Sequence, residues 1–489
     1  MGNRILRLDN ARKTINYLKK NGVSHTFYAA VERMQEERRM RAYCYQAPAA
    51  EELARQRQET GAYPYLFSIV VPAFETRETH LREMIDSVLA QSYERWELII
   101  VDAGKSDGVE STVRRIIQES GDDRIHYSRL SENRGIAENT NAGIAQASGD
   151  YIALLDHDDF ITPDALYYMA DAVHRSRQVD CPLSLLYSDE DKYDESAKTF
   201  VNPHIKQGFN LDLILSNNYI CHFLAVEARL MKRLQLRSAY DGAQDYDLVL
   251  RVVDTLWPKD SLTPAANRIC HISRVLYHWR SHPDSTALNT GSKTYAYEAG
   301  RRALADFCER RGFSAQVSHS LHLGFYQISY EPDILSVRAD VGVVGGRLLN
   351  QKGQIFAGAY DEQGHRLFSG LPARFTGGST HRAVLVQDCG AVDIRCVQVR
   401  GELRPLFCRI TGLAYRERRF YSKCGREKRE IRIADVSGLN CDEAGWQKMS
   451  MAFGEAVRGA GYLSVWDPTV TCEHSVWTDG GTGTEGGLR

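Results

Sequence analysis

Three carboxylates, Asp156, Asp158 and Asp159, stand within four residues in the stretch YIALLDHDDF. The apolar residues before them predict a buried strand, so the carboxylates repel one another and lose hydration at its end. A hard divalent cation would compensate this charge, and magnesium typically binds through one or two carboxylates plus substrate phosphates. The cluster therefore predicts metal-assisted chemistry on a phosphate-bearing substrate, although a solvated acidic turn is also consistent with it.

Strand and helix patterns alternate with short connections from Phe67 onward. This alternation predicts an α/β fold with a mainly parallel central sheet and helices on both faces. The predicted strands are FSIVV, stopped by Pro72, then WELIIVD, IHYSRL and YIALLD. Ligands of such sheets bind beyond the carboxyl ends of the strands. Because Pro72, Asp102 and Asp156 fall at such ends, we expect them at one site.

Polar residues near the other strand ends are further candidates. Asp102 could accept hydrogen bonds from a base or ribose, but aspartate also commonly begins turns. Asn133, Arg134 and Gly135 offer an amide, a guanidinium and an open backbone to a sugar or diphosphate. The sequence NxG is also common in plain turns.

Length and composition set the class of protein. With 489 residues and 43% hydrophobic content, the chain is expected to form at least two domains. A net charge of -2 excludes an overall nucleic-acid-binding surface. Eleven cysteines without a CxxC pair indicate reduced thiols and a cytoplasmic location. Since we find no signal-peptide core and no apolar run near 20 residues, any membrane contact is expected to be peripheral.

The N-terminal segment is basic, with ten Lys or Arg and four acidic residues between Met1 and Arg41. Phe27, Val31 and Met34 have helical spacing within it. This pattern predicts either an amphipathic helix on anionic lipid or a solvated helix packed on the next domain.

In combination, these motifs resemble the family 2 glycosyltransferases, inverting enzymes with the GT-A fold. The resemblance covers about residues 64–315. Its matching segments are VVPAFET (70–76), IIVDAGKSD (99–107), ENRGIAENTNAGIAQASGDYIALLDHDD (132–159) and GAQDYDLVLR (242–251). YSDEDK (187–192) and RVLYHWRSHPDSTA (274–287) are similar to a branch that builds O-antigen and other bacterial surface polysaccharides, including rhamnose-rich ones.

The resemblance implies roles for individual residues. Asp102 would recognise the nucleobase, and Asp245 would be the catalytic base. Asp156 and Asp158 would hold the nucleotide and its divalent metal, Mg²⁺ or Mn²⁺. The other implied residues are Pro72, Glu75, Asn133, Arg134, Gly135 and Arg280 at the nucleotide sugar, His282 at the metal, and Asp189 and Glu190 on the acceptor side.

The helical pattern DYDLVLRVVD begins at Asp245, so its carboxylate is expected at a helix N-terminus, where the helix dipole stabilises negative charge. A capping aspartate without a catalytic role is the alternative. The family usually has Glu before this aspartate, whereas here the residue is Gln244.

Residues 330–475 resemble the later half of a second GT-A module whose nucleotide-binding half is missing. Because DEAGWQKMSMAF stands where the family would place a second base, we expect a non-catalytic, smaller α/β domain. The predicted organisation is a basic helical segment (1–63), a GT-A domain (64–315), this degenerate domain (330–475) and a flexible tail (476–489).

The expected function is metal-dependent, inverting transfer of a sugar from a nucleoside diphosphate to a bacterial surface glycan, free or lipid-linked. The expected location is the cytoplasm or the inner face of the cell membrane. Two alternatives remain: a non-catalytic sugar-nucleotide sensor or assembly protein, and a sugar-phosphate nucleotidyltransferase. The second would require a glycine-rich loop where VVPAFETRE stands.

Overall fold

The computed structural model describes residues 42–281, 294–424 and 427–478, with residues 15, 18–19, 22–23, 26–38 and 40 of the N-terminal segment. His282, predicted as a metal ligand, lies outside the described residues, as do residues 479–489 of the predicted tail.

A nine-stranded sheet organises the first part of the chain, with strand order β3-β2-β1-β4-β8-β6-β9-β5 and β7 paired to β6. Its strands are β1 (Phe67–Ala73), β2 (Trp96–Asp102), β3 (Ile125–Arg129), β4 (Tyr151–Leu154), β5 (Phe160–Ile161), β6 (Leu185–Asp194), β7 (Thr199–His204), β8 (Leu224–Glu227) and β9 (Ile269–Ser281). Strands β3, β2, β1 and β4 are parallel, while β8 runs antiparallel to both β4 and β6. The predicted α/β class is confirmed, with antiparallel pairs in the second half of the sheet.

Helices accompany these strands along the chain. They are α1 (Ala50–Thr60), α2 (Glu78–Leu89), α3 (Gly108–Ser120), α4 (Ile136–Gln146), α5 (Ala165–Gln178), α6 (Leu211–Ile214), α7 (Ala228–Leu234), α8 (Gln244–Thr255) and α9 (Thr294–Arg311). Side chains alternate between the two faces of a strand, and in β1 both faces are apolar and buried. Val70 packs in a core with α4 and α8, whereas Ile69 and Val71 pack in another with α2 and α5. Both faces of the sheet are therefore covered.

The expectation that Pro72 stops the first strand is wrong. Strand β1 continues through Pro72 to Ala73, which is in register with Asp102 of β2. The strand therefore extends two residues further than predicted, toward the end where Asp102 lies.

A second, five-stranded sheet has the order β13-β12-β20-β15, with β17 paired to β12. The strands of this second part are β10 (Ala315–His319), β11 (Tyr326–Tyr330), β12 (Val341–Leu349), β13 (Ile355–Ala357), β14 (Ala359–Tyr360), β15 (Gln387–Asp388), β16 (Ala391–Val392), β17 (Val397–Val399), β18 (Glu417–Cys424), β19 (Glu427–Ala434) and β20 (Leu463–Cys472). Its helices are α10 (Ile334–Val337), α11 (Arg404–Thr411), α12 (Glu443–Gly459) and α13 (His474–Thr478).

The N-terminal helix, residues 26–38, contacts this second part through its acidic side chains. The Glu32 carboxylate accepts hydrogen bonds from the backbone N–H of Thr376 (2.8 Å) and Gly377 (2.9 Å). The Glu36 carboxylate accepts one from Ser379 N–H (2.7 Å). The helix is therefore packed on protein at this point, on the second part rather than on the next domain that the packing alternative named. None of the helices within the described ranges has the length and apolar character needed to cross a membrane.

Candidate active site

A cavity of about 630 Å³ lies at the carboxyl ends of β1 and β4. Its lining includes Pro72 from β1, Asp156 just beyond β4, and Asp245 from the first turn of α8. Residues of the segment before β8 and of β9 complete it, among them His222 and Trp279. The fold thus brings two of the predicted functional carboxylates, far apart in the sequence, to one cavity.

Asp156 is half-exposed, with 43% of its side chain accessible. Desolvation at the base of the cavity raises the pKa of its carboxyl, the neighbouring charges of Asp158 and Asp245 raise it further, and His222 opposes them. The Nε2 atom of His222 is 4.0 Å from Oδ2 of Asp156. Negative charge therefore converges on this wall of the cavity.

The three aspartates of the acidic cluster do not share one role. Asp159 is buried, and its carboxylate accepts hydrogen bonds from the Tyr277 hydroxyl (2.5 Å) and from the backbone N–H of Arg280 (2.7 Å). Burial raises its pKa strongly, and Asp158 and Asp156 add to the rise. Asp159 is thus a tether between the cluster and β9, which leaves Asp156 and Asp158 as candidate ligands.

Arg280, predicted to contact the nucleotide sugar, is buried beside the cluster. Its Nε donates to the backbone carbonyl of Asp158 over 2.6 Å, and its guanidinium lies 2.6 Å from the carboxylate of Glu83 on α2. The rings of Phe160 and Tyr193 flank it. In this arrangement Arg280 fixes the backbone of the acidic cluster.

Asp245 occupies the first turn of α8, where the sequence predicts it. The side-chain amide of Asn218 donates to its Oδ2 over 2.8 Å. The neighbouring Gln244 accepts a hydrogen bond from Gly242 N–H through its side-chain oxygen (2.8 Å). Gln244 therefore orders the turn that leads into the helix.

Asp102 and Glu75 organise a loop at the ends of β1 and β2. Asp102 is buried and accepts hydrogen bonds from Gly104 N–H (2.8 Å) and the Tyr127 hydroxyl (2.9 Å). The Glu75 carboxylate accepts from the Ser106 hydroxyl and the backbone N–H of Lys105, each 2.6 Å away, and these bonds lower its pKa. The predicted nucleotide-binding loop is thus held by its own side chains.

The NRG motif is placed at the start of α4. Asn133 accepts a hydrogen bond from Gly135 N–H (3.0 Å), and Arg134 donates to Glu132 (2.5 Å). Gly135 has a positive φ of 95°, and a Cβ there would lie 2.4 Å from Oδ2 of Asp241. Since Asp241 lines the cavity, glycine is required for this close approach.

The second acidic cluster, predicted on the acceptor side, lies inside β6. Asp189 and Glu190 are buried, and each has a basic partner. Asp189 is 2.8 Å from Nε2 of His271, and Glu190 is 3.3 Å from Nζ of Lys206. Burial by itself would raise the pKa of Glu190. The positive charge of Lys206 outweighs this effect and is the main reason that the Glu190 pKa lies well below its usual range.

Two residues of the site were missed at the sequence level, His222 and Lys206. Lys206 is fully buried and donates to the carbonyl of Ile220 (2.6 Å) and to that of His222. It thereby fixes the backbone that presents His222 to Asp156. Neither residue lies in a periodic pattern, so no local signal marks them.

The residues present fit a magnesium-type ion better than a closed metal cage. Within the described ranges, no group of three or more His, Cys, Asp or Glu residues is arranged to hold a metal. Magnesium requires only one or two protein carboxylates when substrate phosphates and water complete its shell. Asp156 and Asp158 would provide that donor set, and the repulsion at Asp156 is what a cation would relieve.

Residues 68–236 match the family model described as Glycosyl transferase family 2. This part of the chain, about a third of its length, is similar to the family 2 glycosyl transferases. The match confirms the resemblance in the sequence, and the α/β sheet agrees with the GT-A fold that the resemblance implies. The matched residues include Asp102, Asp156 and Asp158, whereas Asp245 follows them along the chain.

The chain is 37% identical over 248 residues to the uncharacterized protein y4gI of Sinorhizobium fredii, covering 50% of this chain and 26% of that protein. It is 33% identical over 256 residues to the O-antigen biosynthesis protein RfbC of Myxococcus xanthus, covering 52% and 19%. The chain thus spans about a fifth to a quarter of the length of these relatives. The structure of S. aureus TarS 1–349 in complex with UDP-GlcNAc aligns with a TM-score of 0.37 at 17% identity, covering 50% of this chain and 66% of that one.

Proposed function

We propose that this protein is a metal-dependent, inverting glycosyltransferase. It transfers a sugar from a nucleoside diphosphate to a growing bacterial surface glycan, such as O-antigen or another cell-envelope polysaccharide. The observation that carries the proposal is the cavity of about 630 Å³ lined by both Asp156 and Asp245. The match to the family 2 model and the relative named for O-antigen biosynthesis support the class of reaction and of product.

The two carboxylates suit opposite ends of one displacement. The acceptor hydroxyl oxygen forms a bond to the anomeric carbon while the bond from that carbon to the diphosphate oxygen breaks. Asp245 takes the hydroxyl proton, a step to which a positioned base contributes about 10²- to 10⁴-fold. Because attack comes from the face opposite the diphosphate, the anomeric configuration inverts.

The remaining groups bind and orient the donor. The Asp102 loop receives the nucleoside at the end of β2, and Asp156 and Asp158 face the diphosphate. A divalent ion held by these two carboxylates would stabilise the negative charge of the departing diphosphate. His222 and Trp279 line the same cavity as Asp156 and Asp245, where the sugar would lie.

A lipid-linked acceptor would bring the protein to the inner face of the cell membrane. The basic residues of the N-terminal segment supply attraction to anionic lipid, at about 1 kcal/mol for each residue near the surface. The helix 26–38 uses Glu32 and Glu36 for its contact with the second part. Within this helix Arg33 pairs with Glu37 (3.2 Å), so the attraction to lipid would come mainly from the other basic residues of the segment.

The deciding experiment is a donor screen with the full-length protein. Nucleoside-diphosphate sugars are incubated with Mg²⁺ or Mn²⁺ and with free or lipid-linked oligosaccharides, and the released nucleoside diphosphate is measured. We expect one donor to give metal-dependent release and a product with inverted anomeric configuration by NMR. Saturable nucleotide binding without release from any donor would instead favour a non-catalytic sugar-nucleotide-binding protein.

A further inference from the structure

One segment of the chain reaches both carboxylates of the site. Residues 210–222, here called the bridge segment, begin just before α6 and end just before β8. Asn218 of this segment donates to Asp245 (2.8 Å), and His222 lies 4.0 Å from Asp156. The position of the bridge segment therefore sets the surroundings of both groups.

The second part of the chain holds the start of the bridge segment by hydrogen bonds. Oδ2 of Asp388, in β15, accepts from the backbone N–H of Leu211 (2.6 Å) and of Asp212 (3.3 Å). Asn210 and Asp388 also exchange two bonds: Asn210 Nδ2 donates to the Asp388 carbonyl (2.8 Å), and Asp388 N–H donates to Asn210 Oδ1 (2.9 Å). A short strand of the second sheet thus caps the first turn of α6.

A buried ion network joins the same two parts. Both terminal nitrogens of Arg338 donate to the Asp212 carboxylate, over 3.0 and 3.1 Å. Asp340 is the second carboxylate on this guanidinium, and all three residues are at most 3% exposed. Further along, the Ser216 hydroxyl donates to the carbonyl of Val386 (3.1 Å). The bridge segment is therefore held from the second part at three successive points.

We propose that the second part of this chain is a scaffold that positions the bridge segment, with Asp388 and Arg338 as positioning residues. The positioning of the bridge segment does not depend on the proposed transferase function, whereas the expected effect on the rate of sugar transfer does. A displacement of about 1 Å at a reacting group can cost about 100-fold in rate. The second part therefore contributes to catalysis without supplying a catalytic residue.

The test uses Asp388→Ala and a thiol inside the bridge segment. Cys221 lies between Asn218 and His222 and lines the cavity, so its rate of alkylation by iodoacetamide reports the position of the segment. Peptide mass spectrometry separates it from the other cysteines. Ser450→Ala is the matched control. The Ser450 hydroxyl also accepts a hydrogen bond from a backbone N–H, that of Ile394 (3.2 Å), but this bond lies within the second part and away from the bridge segment.

We expect Asp388→Ala to raise the Cys221 alkylation rate at least tenfold. Asp388→Asn, which keeps an acceptor oxygen for Leu211 N–H, and Ser450→Ala are expected to stay within twofold of the wild type. An unchanged rate in Asp388→Ala, or an equal rise in Ser450→Ala, would overturn the proposal. If Asp388→Ala does not fold, Ser216→Ala takes its place, since it removes the bond to Val386.

Activity is the second readout. In Asp388→Ala we expect the kcat of sugar transfer to fall at least tenfold, with Asp388→Asn restoring most of the rate. A wild-type kcat in Asp388→Ala would overturn the rate effect. If the wild-type protein transfers no sugar at all, the transferase proposal fails alone, because alkylation of Cys221 still decides whether the segment is positioned from the second part.

Discussion

The side-chain amide of Asn218 donates a hydrogen bond to Oδ2 of Asp245 over 2.8 Å. An amide N–H donor fixes the orientation of a carboxylate by a hydrogen bond. Unlike Lys or Arg, it places no positive charge beside the carboxylate, and such a charge would make the carboxylate a weaker base. Asp245 also lies in the first turn of α8, where the helix dipole stabilises negative charge. Both features suit a carboxylate that accepts a proton.

Asp245→Asn should therefore greatly slow transfer while leaving nucleotide binding intact. The amide cannot take up the acceptor proton, so we expect a fall of about 10²- to 10⁴-fold in kcat. Isothermal titration with the nucleoside diphosphate and Mn²⁺ measures the retained affinity. Equal losses of binding and of turnover would contradict the division of roles between Asp245 and the acidic cluster.

Two variants of the acidic cluster, Asp158→Asn and Tyr277→Phe, should separate metal binding from structural support. Asp158→Asn removes a candidate metal ligand, so we expect weaker nucleotide binding in Mg²⁺ or Mn²⁺ and unchanged binding in EDTA. Tyr277→Phe removes the hydrogen bond to Asp159, so we expect about 1 kcal/mol lower stability and an unchanged metal requirement. Metal titrations and urea unfolding of both variants check this. A loss of metal dependence in Tyr277→Phe would place Asp159 at the metal as well.

Local periodicity predicted the elements that carry the site better than the contacts within it. Strands β2 and β4 follow from their apolar residues, and these two strands locate the ends near Asp102 and Asp156. The run Asp189–Asp191 resembles a turn because its charges are adjacent, yet it is buried inside β6. Its partners, such as His271, come from distant strands, and no local pattern carries that information.

Lys206 provides a prediction about stability. Because it is fully buried beside Glu190, Lys206→Met should leave a buried carboxylate without its cation, at a cost of about 3–5 kcal/mol. Replacing both residues, as Lys206→Met with Glu190→Gln, should recover much of that loss. Urea unfolding of the two single variants and the double variant gives the coupling energy. Additive losses would mean that the pair does not interact as its geometry indicates.

Acid should destabilise the second part through His381. Burial, with a contribution from His322, lowers the pKa of His381 to about 3, whereas an unfolded imidazole titrates near 6.5. Between these values the unfolded chain binds a proton that the folded chain does not. Stability is therefore full above about pH 6.5 and falls as the pH drops, by up to about 1.4 kcal/mol per unit.

The variant that isolates this effect is His381→Asn. Asparagine tolerates the positive φ of 52° at this position and does not titrate, so the backbone is kept while the acid sensitivity is removed. Thermal unfolding of the wild type and the variant between about pH 4 and pH 8 should give curves that converge above pH 7 and separate below it. Since His381 packs against Phe325 and His322, between the hairpin β10–β11 and the second sheet, the early loss should appear there by hydrogen exchange. Parallel curves for the two proteins would mean that the acid sensitivity comes from other groups.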